Sequence, residues 1–466
     1  MQVFLAPKIS KNLIEQRAVL TGKPEMPARS RLSGPLRAIG IVRHGCKQLA
    51  TAEGRIVEPD GKPSRIKFTM RPKSGLPKRK ALRRKPEYSF GLKDHPSNVQ
   101  RSHPNMQGSS WANAIDVMSM FCGCGGLDLG FLGGFSYLDK EYEALPFNIL
   151  QAVDFDEKSI ETYKLNISDH GVVGDLTKIE ATDLPKARIL IGGFPCQDFS
   201  SSGPKLGFAG KRGQLYTALV DYMRIHKPDI VIGENVPHLA SLHGGAYLKA
   251  ILNDFEAEGY NFTVWNLFGP DYGLSQSRRR LFIVGVRKEL GTPPGPPVPT
   301  NLNRYRPIEE AIGDLIKIED ESVTNQSQYF MATKASAGGG QGDHDNRRGE
   351  LAYCIRANAK ARIQFHYELE RRLTVRECAR LQSFPDEFVF PFAAMTNMTQ
   401  IGNAVPPMLA HHVAKTVATH LARLDKGEKF EWRPTSIDQR IQAVTQRRRI
   451  PAKNEAQFGL FSTALE

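Results

Sequence analysis

The chain has 466 residues, of which 40% are hydrophobic and 24% charged, the balance of a globular protein with room for about three domains. No run of about 18 apolar residues occurs, so no transmembrane helix is predicted. The start, Met1-Gln-Val-Phe-Leu-Ala-Pro-Lys8, lacks the apolar stretch of a signal peptide, and a cytoplasmic setting is expected.

The net charge of +14 is unevenly placed. Residues 1–100 hold 22 Lys and Arg against 7 Asp and Glu, a net of +15, so the remaining 366 residues sum to −1. The charge is densest at Lys78-Arg-Lys80 and Arg83-Arg-Lys85. It reads either as a surface for a polyanion or as a solvated tail. The six cysteines form no CxxC pair and no disulfide framework, so neither a structural zinc site nor any other metal is expected.

Residues 1–112 form a basic N-terminal extension rich in Pro, Gly, Lys and Arg, with short strand-like pieces at Ile39-Gly-Ile-Val42 and Arg65-Ile-Lys-Phe68 and a turn signal at Pro59-Asp-Gly-Lys62. From Ala114 the pattern changes to apolar runs alternating with amphipathic stretches. Strands are predicted at 115–121, 149–155, 188–194, 229–233, 261–267 and 280–286, and helices at 156–166, 214–226 and 246–259. Such alternation predicts an α/β fold: a doubly wound, mostly parallel sheet, Rossmann-like, with ligands at the carboxyl ends of its strands. This core spans 113–287. The run Pro293-Pro-Gly-Pro-Pro-Val-Pro299 breaks the pattern and opens an irregular segment, 288–368. Regular structure returns over 369–425, with a helix capped by Thr374 and Glu377 and a second helix over 408–424. Residues 426–466 read as a polar, basic tail.

Three features at strand ends carry chemistry. A glycine-rich turn, Phe121-Cys-Gly-Cys-Gly-Gly126, fits neither GxGxxG nor a P-loop, which disfavours a phosphate cradle and leaves a nucleoside-like cofactor. Asp154 ends the next strand, where an acid bonds ribose hydroxyls in nucleotide-binding sheets, and Asp175 follows a further edge. Each acid alone reads more readily as a solvated loop carboxylate or helix cap. Cys196 stands between Pro195 and Gln197 at the head of a polar loop. Free cysteine usually packs as a small hydrophobe, but the strand end and the Gly- and Ser-rich neighbourhood favour a reactive thiol, with Arg278 and Arg280 as nearby positive charge. Glu234 ends another strand. A thiolate adding to carbon 6 of cytosine makes carbon 5 nucleophilic, and a neighbouring acid at ring nitrogen 3 lowers the barrier.

Here the chain resembles the DNA (cytosine-5)-methyltransferase family, with its motifs in unpermuted order over about residues 114–425. Gly193-Phe-Pro-Cys-Gln197 is similar to the nucleophile motif, Arg212-Gly-Gln-Leu215 to the motif closing its loop, and Glu234-Asn-Val236 to the acid motif. Gln276-x-Arg278-x-Arg280 resembles the arginine motif, and Arg372-Leu-Thr374 with Glu377, Arg380 and Gln382 the scaffold motif. Gly402-Asn-Ala-Val-Pro406 resembles the final cofactor motif. The resemblance implies S-adenosylmethionine as cofactor, held by Phe121, Gly123, Gly125, Gly126, Asp154, Phe155, Asp175, Leu176, Pro195, Leu215, Asn403 and Ala404. It implies Cys196 as nucleophile with Gln197 beside it, Glu234 as acid, and Arg278, the first arginine of its motif, on the cytosine ring oxygen with Arg280 near it. Aspartate at 154 departs from the family's usual glutamate.

The resemblance further implies double-stranded DNA as partner, a flipped base, and a monomer on DNA in a bacterial or phage-like, nucleoid-associated setting. A cognate restriction endonuclease acting on the same site belongs to that expectation. The segment 288–368 takes the place of the target recognition region, with Arg347, Arg348, Arg356 and Asn358 as contact candidates. A zinc deaminase is disfavoured, because Cys196-Gln-Asp-Phe-Ser200 lacks its Pro-Cys-x-x-Cys. The transfer-RNA branch of the family carries a Cys-Phe-Thr signature absent from this sequence. A catalytically dead DNA-binding regulator is disfavoured by the presence of Cys196, Glu234 and Arg278.

Overall fold

The computed structural model describes residues 51–57, 63–69, 114–195, 215–302, 304–317, 344–357, 364–428, 430–433 and 435–445. The chain divides into two units, Met1–Pro96 and Ser97–Glu466. In the first unit, strand β1 (Thr51–Val57) pairs antiparallel with β2 (Pro63–Thr69), from Thr51 opposite Thr69 to Val57 opposite Pro63. The predicted piece at 65–68 falls within β2; those at 39–42 and 59–62 lie outside the described residues.

The second unit is built on a seven-stranded sheet. In chain order its elements are β3 (Ile115–Met120), α1 (Gly126–Leu132), the hairpin β4 (Phe135–Tyr137) and β5 (Lys140–Tyr142), β6 (Phe147–Asp154), α2 (Glu157–Asn166), β7 (Gly171–Val173), β8 (Ile189–Gly192), α3 (Thr217–His226), β9 (Ile230–Asn235), α4 (Ala246–Ala257), β10 (Tyr260–Phe268) and β11 (Arg279–Arg287). Then follow α5 (Ile308–Ile312), the short pair β12 (His344–Asp345) and β13 (Gln364–Phe365), α6 (Val375–Leu381), α7 (Ala394–Asn403), α8 (Pro407–Asp425) and α9 (Ile437–Thr445).

The sheet order is β10-β11-β9-β8-β3-β6-β7. Ladders β7-β6-β3-β8-β9 are parallel, while β11 runs antiparallel to both β9 and β10. Successive strands leave β3 in opposite directions, to β6 on one side and β8 on the other, which makes a topological switch point there.

Near-continuous apolar strands are the signature of a sheet covered on both faces. Alternate residues go to opposite sides: Ile189, Ile191, Ile230, Ile232, Phe282 and Val284 face one core, and Leu190, Val231, Leu281 and Ile283 the other. Helices α1, α2, α6 and α8 cover the first face, α3, α4 and α9 the second.

Helix α1 contacts α8 closely because two glycines line the seam. A β-carbon on Gly126 would lie 2.4 Å from the Val405 carbonyl, and one on Gly130 would lie 2.3 Å from Ala410 Cβ and 2.5 Å from the Pro407 carbonyl. Helix α6 begins with the predicted capping box, Thr374 Oγ1 accepting from Glu377 N at 3.0 Å and Glu377 Oε2 accepting from Thr374 N at 2.8 Å.

The stretch expected to be a polar tail from 426 instead contains α9. Its Ile441 and Val444 are buried against the second core, Arg440 pairs with Glu256 at 2.7 Å, and Arg440 Nη1 donates to the Phe262 carbonyl of the edge strand at 2.9 Å. The apolar stripe of this nine-residue helix is too short to stand out among its polar neighbours. Among the described residues no helix is long and apolar enough to cross a membrane.

Candidate active site

Five of the features singled out in the sequence core fall at one edge of the sheet. The carboxyl ends of β3, β6, β7, β8 and β9 deliver the turn 121–126, Asp154-Phe155, Gly174-Asp175, Gly193-Phe-Pro195 and Glu234-Asn235. Because β11 is antiparallel, its amino end, with Arg279 and Arg280, arrives at the same edge.

The turn after β3 departs from ordinary helix entry. Phe121 has φ +56° and Gly125 φ +92°, and a β-carbon on Gly125 would collide with Ile167 Cδ1 at 2.2 Å. The turn is pinned by Asp154, whose Oδ2 accepts from Gly123 N at 2.9 Å and whose Oδ1 accepts from Asp156 N at 2.9 Å. Burial raises the Asp154 pKa against these two donors. Above the turn there is room, with no atom within 4 Å of where a β-carbon on Gly123 would stand. Phe155 is 69% exposed at the next strand end, and Val172 and Val173 are exposed one strand further. An open glycine, exposed apolar groups and strand-end carboxylates fit an aromatic nucleoside, so the donor set is compatible with the expected cofactor.

Asp175 is half-buried but already engaged. Its Oδ1 accepts from Thr177 N and Oγ1 at 3.1 and 2.7 Å, and Oδ2 pairs with Lys178 at 3.0 Å. The Thr177 hydroxyl first, then Lys178, hold its pKa down at about 2. Leu176 is buried, Pro195, Leu215 and Ala404 are half-buried, and Asn403 is exposed. Cys196, Gln197 and Asn358 lie outside the described residues.

Glu234 is buried at the end of β9, and its Oε1 lies 2.8 Å from Arg280 Nε. Register explains the pair: Glu234 stands opposite Phe282, so Arg280 is its diagonal neighbour on the same face. Burial raises the Glu234 pKa, while Arg280 and then Arg278 oppose that shift. The carboxylate also meets the chain that leads to Cys196. Its Oε2 would be 3.3 Å from a β-carbon on Gly193, and the adjacent Asn235 Nδ2 donates to the Phe194 carbonyl at 3.0 Å.

Arg278 is anchored on main-chain groups. It is fully buried, with Nη1 donating to the Ile355 carbonyl at 2.8 Å and Nη2 to the carbonyls of Gly402 and Ala404 at 3.0 and 2.7 Å. Desolvation lowers its pKa to about 10. Its two terminal nitrogens are engaged by main-chain carbonyls while Nε has no partner among the described residues, and Arg280 is the arginine paired with the acid.

The C-5 cytosine-specific DNA methylase model matches residues 115–338 and 303–419. The chain belongs to that family. It is 30% identical over 356 residues to the Type II methyltransferase M.FnuDI of Fusobacterium nucleatum, covering 70% of this chain and 100% of that one. It is 32% identical over 343 residues to Type II methyltransferase M.NgoFVII of Neisseria gonorrhoeae, covering 66% and 88%. In fold it is similar to the methyltransferase EhMeth of Entamoeba histolytica, with a TM-score of 0.51, 15% identity, and 66% and 99% of the two chains covered. The methylase is thus a DNA (cytosine-5)-methyltransferase, as the motif order implied.

Several polar groups of this methylase were not singled out as site residues. Asp128, fully buried on α1, accepts from Ser119 Oγ at 2.8 Å and Tyr163 OH at 2.9 Å, and burial pushes its pKa up to about 6. Gln276 and Gln382, both fully buried, bond to each other. Arg279 lies 4.1 Å over the Phe268 ring. Gln276 was visible inside the arginine motif, but nothing in sequence marks Asp128 as more than one more polar residue after the glycines. Of the recognition candidates, Arg348 is tied to Glu368 and lies 5.1 Å over Tyr367, and Arg347 and Arg356 are exposed.

Proposed function

We propose that this methylase modifies carbon 5 of a cytosine in a specific duplex DNA sequence, with Cys196 as nucleophile and Glu234 and Arg280 as the groups that hold the target ring. The observation that carries this reading is the buried Glu234–Arg280 pair, 2.8 Å apart, beside the Gly193-Phe194 backbone that runs into Pro195 and Cys196.

The pair offers the two faces a cytosine edge requires. A protonated Glu234 donates at ring nitrogen 3, which burial favours, and Arg280 donates at the ring oxygen. Both withdraw electrons from the ring and make carbon 6 electrophilic. The Cys196 thiolate adds there, forming a carbon–sulfur bond while the electron pair of the 5,6 double bond moves toward carbon 5. Once carbon 5 carries its methyl group, loss of its proton to a base re-forms the double bond and expels the thiolate, which restores the enzyme. A cytosine inside a duplex presents neither face, so the base is turned out of the stack.

S-adenosylmethionine, when bound, supplies an electrophilic methyl group. Phe121, Phe155 and the turn 123–126 would hold its aromatic part, Asp154 and Asp175 its hydroxyl and amino groups, and Asn403 and Ala404 its amino-acid end. Segment 288–368 would read the DNA sequence. Because relatives carry Type II names, a restriction endonuclease with the same site is the proposed companion, and the enzyme acts as a monomer on DNA within the cytoplasm of a bacterial or phage-infected cell.

The test is DNA containing 5-fluorocytosine, whose fluorine cannot leave as a proton does. A covalent complex that survives denaturing electrophoresis is expected with the native chain and none with Cys196→Ser. An adduct persisting in the serine variant would overturn the assignment of the nucleophile. Bisulfite sequencing of DNA from expressing cells gives the recognition site.

A further inference from the structure

Three fully buried side chains, Gln276, Arg278 and Gln382, tie together segments far apart in the chain. The first is 352–357, within the segment read as DNA-recognising. Its Ala352 N donates to the Ser275 carbonyl at 2.9 Å, and Ser277 N donates to the Ala352 carbonyl at 2.8 Å. Gln276 Oε1 accepts from Ile355 N at 3.0 Å, and Arg278 Nη1 donates to the Ile355 carbonyl at 2.8 Å. Both main-chain groups of Ile355 are therefore held by this motif.

The second segment is 402–404, the loop read as cofactor-binding. Arg278 Nη2 donates to Gly402 and Ala404 carbonyls, and Gln382 Nε2 donates to the same Ala404 carbonyl at 2.7 Å. Gln276 Nε2 closes the ring by donating to Gln382 Oε1 and the Leu381 carbonyl. Gly402 leaves no slack, since a β-carbon on it would be 2.2 Å from Ala357 N. Buried polar networks have discrete rather than graded arrangements, because each unmade bond leaves a desolvated group.

We infer that this clasp couples the two ligands: movement of the recognition segment on DNA is passed through Ile355, Arg278 and Ala404 to the loop that holds the cofactor. Arg278 is thereby a positioning residue, acting through Ala404 and touching neither substrate. The inference rests on the reading of 288–368 as the DNA-recognising segment and of Asn403-Ala404 as part of the cofactor site. Coupling between binding sites is reciprocal, so it is measurable from either ligand.

The experiment measures the Kd of S-adenosylhomocysteine by titration calorimetry with and without sheared genomic DNA from a host lacking cytosine methylation. It uses the full chain, Arg278→Lys and Gln382→Met. Lysine cannot span three carbonyls, and methionine keeps the volume of Gln382 while removing its bonds. The native chain should show a DNA-dependent shift of about 5-fold or more. Both variants should bring that ratio close to one whatever their DNA-free affinity, a pattern that simple loss of stability, which weakens binding equally with and without DNA, would not produce. If Arg278→Lys does not fold, Gln382→Met alone decides. A variant that folds and keeps the native ratio overturns the coupling, as does a native chain that binds each ligand with no shift. A native chain that binds neither ligand alone overturns the underlying reading as well, which distinguishes the two failures.

Discussion

Arg280 Nε and Glu234 Oε1 are 2.8 Å apart in a nook where each side chain is only 10% exposed. A buried pair of this kind gains little net stability, but removing one partner strands the other. Arg280→Ala should therefore lower kcat by about 10²–10³-fold, with pre-steady-state methyl transfer as the measurement. Glu234→Gln keeps the shape, loses the exchangeable proton, and should slow adduct formation on fluorinated DNA by about 10²–10⁴-fold while S-adenosylhomocysteine still binds. Equal adduct rates in the variant and the native chain would remove Glu234 from the chemistry.

Phe155 projects into solvent at the end of β6, 69% exposed. A side chain so placed contributes little to folding, so Phe155→Ala should leave Tm almost unchanged. It should weaken S-adenosylhomocysteine binding by roughly 3–10-fold, the equivalent of one aromatic stacking contact. Calorimetry and a thermal melt on the same sample check both halves.

Asp128 carries a pH-dependent contribution to stability. Its folded pKa of about 6 lies above the ordinary 3.8 because the group is desolvated, so the folded state holds the proton more tightly than the unfolded chain does. That contribution is present below about pH 4 and is lost as pH rises through 6. Asp128→Asn carries no charge to bury. Relative to the native chain, the variant should gain stability between pH 4 and pH 7, by on the order of 3 kcal/mol. Denaturant unfolding across that range measures the difference, and a difference independent of pH would contradict the assignment.

The α1–α8 seam gives a purely steric prediction. Gly130→Ala would place a methyl group 2.3 Å from Ala410 Cβ and 2.5 Å from a backbone carbonyl, so the helices must separate. The expected cost is about 1–3 kcal/mol, seen as a lower Tm. A comparable loss of cofactor affinity is expected, because α1 starts at the glycine turn and α8 follows Asn403-Ala404.

Much of this was legible because of how the sheet is buried. Runs such as Arg188–Phe194 and Asp229–Gly233 read as strands, since a parallel sheet covered on both faces needs uninterrupted apolar residues. The capping box at Thr374 and Glu377 was readable from two side chains alone. Other elements were not. Glycines dominate the entry to α1, and their role there is close packing that appears only once α8 is in place. Strand β7 has three residues, two of them exposed, and gives no burial signal. Arg278 immediately precedes β11 and Arg280 lies within it, so local pattern alone did not say which of the two would reach the acid. Which one meets Glu234 is set by the β9–β11 register, a long-range property. The polar ring of Gln276, Arg278 and Gln382 was hidden for the same reason: its partners include main-chain carbonyls 22, 77 and 124 residues away.

The contact between Arg440 and the Phe262 carbonyl has a consequence for solution behaviour. Strand β10 ends the sheet, and the outer side of a terminal strand is a rail of hydrogen-bonding groups that another molecule can latch onto. The guanidinium from α9 occupies one place on that rail, and the helix behind it obstructs approach. Shortened versions of the protein that stop near residue 427 would leave the rail bare, and their first symptom should be sideways self-association during expression and concentration, ahead of any defect in chemistry.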